Sequence, residues 1–175
     1  MSDVERAIAI RYAITYQAEM IAFEHHDHTG CIQSAIAAVD KHCQAAGARL
    51  TPARKRVLEI LLNEHRALGA YDILEILAKQ GFPAQPPVAY RALDFLVEHG
   101  FAHRIERLNA FVACAHPGKH HAPAFLVCRI CDGVAEAQAE PARGKLADAA
   151  KDAGFTIERA VVEAVGICPN CQGTV

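Results

Sequence analysis

PPVAYRALDFLVEHGFAHRIERLNAFVAC, residues 86–114, carries a change of period that decides the fold. Apolar side chains recur at helical spacing over 86–99, and Gly100 is a natural carboxy-terminal stop. Two short strand-like runs follow, 101–106 and 110–114, joined around Leu108-Asn109. Upstream, the spacing predicts three more helices. The first covers 32–47, with Ile32, Ile36, Val39 and Cys43 on one face and Gly47 at its end. The second lies in Leu50–Leu62, where Thr51 can cap and Pro52 fits the first helical position. The third runs from Tyr71 to Lys79 and closes at Gly81. Short helices followed by a hairpin describe a winged helix, whose last helix enters the major groove while the wing touches the backbone.

Beyond residue 114 the pattern turns to strands at 125–128, 134–137 and 157–164, with an Ala-rich helix over 144–152. Two pairs punctuate this half, Cys128-x2-Cys131 and Cys168-x2-Cys171. Each is a chelating knuckle, because a tight turn lets two thiolates converge at about 2.3 Å from zinc. Asp132-Gly133 and Pro169 supply the turn chemistry. Four thiolates make a closed, structural site; a redox dithiol would need only one pair in a different setting. The expected class is α+β: an amino-terminal winged helix, then a small α/β dimerisation unit stapled by zinc on Cys128, Cys131, Cys168 and Cys171. The boundaries read as an extension over 1–31, expected to be mobile, a reader over 32–108, and a dimerisation and metal-binding unit over 109–175.

The 175 residues suit one large or two small domains, and just over half of them are apolar. No apolar run approaches a membrane span, and no secretory signal opens the chain, so a cytoplasmic protein is expected. Seven cysteines in a reducing compartment point to metal rather than to a disulfide framework. Net charge is −2, but residues 41–107 carry ten basic against seven acidic side chains, whereas residues 1–40 carry two against six. The one basic block coincides with the winged helix.

Within it, Arg91 can fork onto a guanine edge and Tyr90 can meet a thymine methyl or a phosphate. Arg54, Lys55 and Arg56 are candidates for phosphate contact, with ordinary solvated helix faces as the plain alternative. Around the junction gather His103, Cys114, His116, His120, His121 and Glu136. A mixed nitrogen, sulfur and oxygen site there would bind zinc less tenaciously than four thiolates and would favour one arrangement of the two units.

These motifs resemble those of the ferric uptake regulator superfamily, specifically its zinc uptake regulator branch. The carriers are Leu50-Thr-Pro-Ala-Arg54, Ala70-Tyr-Asp72, residues 86–96, Gly100-Phe-Ala-His103, Phe111-Val-Ala-Cys114 and the two cysteine pairs. The resemblance implies a zinc-responsive repressor that binds double-stranded operator DNA as a homodimer and controls zinc uptake genes. It implies two zinc ions per monomer: a structural one on the four cysteines, and a regulatory one on His103, Cys114, His121 and Glu136, with His120 as the substitute for His121. It implies DNA contacts from Tyr90, Arg91, Arg54 and Tyr71. One departure is Val88-Ala89, where the family usually carries Thr-Val. The alternative is an iron- or peroxide-responsive member, but Ala122–Val127 replaces the His-rich run typical of those branches before the first cysteine pair. An enzyme, with no small-molecule substrate in view, is not expected: zinc deaminases need His-x-Glu and Pro-Cys-x-x-Cys, and both are absent. His25-His-Asp-His-Thr-Gly-Cys31 reads as a tail that binds zinc adventitiously, with an accessory site as the alternative. Met20 is a second candidate start, which would make residues 1–19 a dispensable leader.

Overall fold

The computed structural model describes residues 29–64, 66–118, 123–138, 144–158 and 160–174. The tail histidines His25, His26 and His28, the alternative start at Met20, and His120 and His121 lie outside the described residues.

Helix α1 spans Thr29–Ala45 and α2 spans Pro52–Asn63. The start of α2 follows from its sequence: Thr51 Oγ1 accepts the Arg54 N–H at 3.4 Å, and Pro52 sits where a missing N–H costs nothing. Helix α3, Ala70–Lys79, opens with the Asp72 carboxylate accepting the Gly69 N–H at 3.0 Å. Helix α4 spans Pro86–Glu98. Its first turn has no side-chain cap, and needs none. Pro86 and Pro87 carry no N–H, and the amides of Val88 and Ala89 both donate to the Gln85 carbonyl. The chain leaves α4 through Gly100 at φ +69°, a left-handed value that glycine adopts without strain. The apolar faces meet in one core, built on Val39 and Cys43, Val57 and Leu61, Ile73 and Leu77, Leu93 and Leu96, with Phe101 closing it. Fully burying each large side chain stabilises by about 1.5–3 kcal/mol.

The wing consists of β2, Ala102–Ile105, and β3, Ala110–Ala113, paired antiparallel with His103 opposite Val112. A two-residue strand missed by the sequence reading, β1 at Leu68–Gly69, pairs with β3 and completes a sheet of order β1-β3-β2. The expected division after residue 108 falls inside this hairpin, since β3 is bonded to β1 and β2.

The carboxy-terminal half holds β4 (Pro123–Cys128), β5 (Val134–Gln138), α5 (Lys145–Asp152), β6 (Val162–Gly166) and a 3-10 turn over Pro169–Thr174. Its sheet order is β5-β4-β6, with β5 antiparallel and β6 parallel to β4. The last strand was expected over 157–164; it is bounded instead by its partner, because β4 first offers a register position at Ala124, opposite Val162. A second core joins the halves: Ala67, Ile105 and Ala110 pack with Phe125 and Val127. A bridge pair between Arg66 and Gly133, and the Ala67 N–H donating to the Asp132 carbonyl at 3.5 Å, tie the reader to the first cysteine knuckle.

Candidate metal centres and nucleic-acid face

The parallel register of β4 and β6 sets Cys128 opposite Gly166, so both knuckles emerge at one end of the sheet. There the sulfurs of Cys128, Cys131, Cys168 and Cys171 lie within 4.8 Å of one another. Cys131 Sγ and Cys168 Sγ are 3.8 Å apart, too far for a disulfide. A tetrahedron with zinc–sulfur bonds of about 2.3 Å has edges of about 3.8 Å, so the donor set fits the ion. Amides from the knuckles turn inward. The N–H groups of Cys168 and Cys131 on the Cys128 sulfur bring that thiol down to about 6. Hydrogen bonding with the Cys168 sulfur, and desolvation second, pushes Cys171 up to about 12. One sulfur is thus ready as thiolate, and a divalent cation would displace the proton that Cys171 holds.

A second cluster spans the two halves. His103 on β2 and Cys114 just past β3 come from the wing, and Glu136 comes from β5; their donor atoms also lie within 4.8 Å of one another. His103 Nε2 is 3.5 Å from Glu136 Oε2, which accepts the Ala115 N–H at 2.9 Å. Cys114 is 3% exposed, and burial, with the Glu136 charge second, pushes its thiol up to about 12. The nearby His116 N–H, 3.3 Å from the sulfur, opposes that shift. Nitrogen, sulfur and oxygen donors from two bodies suit a borderline cation such as zinc, held less tightly than by four thiolates.

Residues 45–165 match the Ferric uptake regulator family. The chain belongs to that family. It is 37% identical over 140 residues to the zinc uptake regulation protein of Escherichia coli K12, covering 79% of this chain and 82% of that protein. Among solved structures, a zinc uptake regulator complexed with zinc and DNA matches with a TM-score of 0.77 at 36% identity, covering 82% of this chain and 96% of that one. Holo XcZur matches with a TM-score of 0.72 at 36% identity, covering 80% of this chain and 98% of that one.

In this family member the four reader residues expected at DNA occupy different settings. Tyr71, at the start of α3, is 74% exposed; Tyr90 and Arg91 are exposed on the first turns of α4. Arg54 is engaged internally: its guanidinium lies 3.6 Å from the Phe95 ring centroid, and Nη1 donates to the Arg49 carbonyl at 2.6 Å. Of its neighbours, Arg56 is tied to Glu59 and Gln80, each at 2.6 Å, whereas Lys55 is exposed. At the departure from the family pattern, Ala89 is buried in the packing of α4 and Val88 is half-buried. The wing's turn does not project freely either. Glu163 on β6 accepts the backbone N–H groups of Glu106 and Arg107, at 2.7 and 3.2 Å. Sequence reasoning missed Glu163, and no local pattern signals it, because its partners lie more than fifty residues away.

Proposed function

We propose that the protein is a zinc-responsive transcriptional repressor, not an enzyme, which grips operator DNA as a homodimer when its hinge site holds zinc, and so controls zinc uptake genes. The observation that carries this reading is the His103–Cys114–Glu136 cluster, whose donors belong to both halves of the chain. A cation there favours the docked arrangement by whatever it gains from donors that only docking brings together. His121, or His120, completes the set, and the four cysteines hold a second, structural ion, making two zinc ions per monomer. In a dimer, two readers fixed relative to each other present two α4 helices at a spacing that matches successive major grooves. Arg91, Tyr90 and Tyr71 meet the DNA, and Arg54 supports α4 from behind.

The apolar surface of the carboxy-terminal half suits the dimer. Leu126, Val162 and Phe155 are exposed there, and α5 has no buried residue. Pairing two copies covers such a surface and adds the core that a three-stranded sheet lacks. No helix among the described residues is long and apolar enough to cross a membrane, and the proposed site of action is the cytoplasm.

The test is metal counting per monomer before and after mild chelation, with operator binding followed in parallel and iron(II) as a comparison. Loss of the labile zinc should abolish operator binding, and zinc rather than iron(II) should restore it. Operator affinity that survives removal of the labile ion would make the protein a constitutive binder.

A further inference from the structure

One row of the carboxy-terminal sheet faces the wing. Glu136, Phe125 and Glu163 are register partners across β5, β4 and β6, so their side chains project from one face. Phe125 is buried against Ile105 and Ala110, and its ring centroid is 5.3 Å from that of His103. The two flanking carboxylates both hold backbone of the wing. Glu136 takes the Ala115 N–H just beyond β3. Glu163 takes two successive N–H groups of the hairpin turn, Oε1 from Glu106 and Oε2 from Arg107. The sheet therefore grips the wing at its base and at its tip, with a phenylalanine between.

We infer that Glu163 is a positioning residue for zinc sensing: a latch that docks the wing and thereby sets the zinc concentration at which the hinge site fills. The inference rests on the function proposed above. Glu163 lies two strands from Glu136, roughly 10 Å across the sheet, so it ligates nothing at the hinge and acts only through docking. Docking and metal binding are linked. His103 and Cys114 ride on the wing while Glu136 stays with the sheet, so a contact that favours docking without touching the ion lowers the zinc required. The turn cannot replace the latch from within. Its own bonds, Asn109 N–H to the Glu106 carbonyl and the Arg104 side chain to Asn109 Oδ1, leave the amides of Glu106 and Arg107 to the carboxylate.

The test uses the full-length protein and Glu163→Gln, which keeps the size but removes the charge and one acceptor oxygen. With only the four-thiol site loaded, amide hydrogen exchange at Glu106 and Arg107 should accelerate about tenfold in the variant, the loss of a charge-assisted pair. Zinc titration against a competing chelator should show the hinge site filling at about tenfold higher free zinc, while the four-thiol site keeps its ion and the dimer persists. At saturating zinc, binding to a duplex selected by the wild-type protein should return to within about threefold of wild type, since a latch changes the midpoint and not the docked state. Faster exchange with an unmoved midpoint overturns the regulatory role; unchanged exchange overturns the latch itself. If the wild-type protein binds the duplex without zinc dependence, the proposed function fails, and the chelator titration still decides whether Glu163 sets hinge occupancy.

Discussion

The three hinge donors and the reader arginines can be separated by single substitutions. Cys114→Ser replaces a thiolate ligand with a weak one in nearly the same volume, and His103→Ala removes the nitrogen donor. Either should abolish zinc-dependent operator binding while leaving a dimer that retains its four-thiol zinc, as checked by metal analysis and gel filtration. Loss of the dimer would reassign these residues to structure. Arg91 and Arg54 should behave differently despite their shared charge. Arg91→Ala should weaken specific binding by ~1–3 kcal/mol with little effect on random duplex, the mark of a base contact. Equal loss on both duplexes would make Arg91 a phosphate contact. Arg54→Ala removes a guanidinium stacked on Phe95 and bonded to the Arg49 carbonyl, so it should cost about 1 kcal/mol of folding stability before any DNA is present. Arg54→Lys should not restore that stability, because an ammonium lacks the planar face that stacks. Urea denaturation of the three proteins decides the point.

Two glycines test how the elements are joined. Gly100 leaves α4 at φ +69° with nothing within 4 Å of a built Cβ, so Gly100→Ala should cost only the backbone term, about 1 kcal/mol. Gly118, in the loop after Cys114, has φ +77° and would place a Cβ 2.8 Å from His42 Nδ1. Gly118→Ala must therefore displace the His42 imidazole, which packs edge-on against Phe101, as well as strain the backbone, and it should lower the thermal midpoint more than Gly100→Ala does. Equal shifts would mean that His42 swings aside at no cost. Glycines and caps are also where the sequence was most legible. Thr51 with Pro52, and Gly100 after a helical apolar face, mark boundaries through chemistry that acts within a few residues. What acts at a distance was not legible. The strand β1 is two residues long and shows no period. The bounds of β6 are imposed by the strand it pairs with, not by its own alternation. The two cysteine knuckles announce themselves by spacing. By contrast, His103 and Glu136 are joined in the sequence only through the family resemblance, and nothing in the sequence joins Glu163 to the turn it holds; the fold brings that pair together.

At the scale of the molecule, the two clusters differ in what they hold together, and their ions should leave in order. The hinge donors bridge a reader that keeps its own core and a half that shares its core with the wing, so removing that ion should loosen the docking without unfolding the reader. The four thiols join the ends of β4 and β6 with the turns that follow, in a sheet of three short strands whose connecting helix, α5, has no buried residue. On the proposed reading that half depends on its ion: structural zinc in small domains binds with an apparent ~10–16 kcal/mol, comparable to the whole stability of such a unit. Titration with a strong chelator should therefore show two phases. In the first, operator binding disappears while far-ultraviolet dichroism and the dimer are preserved. In the second, strand signal is lost and the dimer dissociates, while the helical signal of the reader survives, because its core of Val57, Leu61, Leu93 and Leu96 is independent of either metal. Dichroism and sedimentation measured along one titration check both phases. A single transition, with DNA binding, strand content and dimer lost together, would mean that the hinge ion is as structural as the other and that the halves have no separate stability for a sensor to exploit.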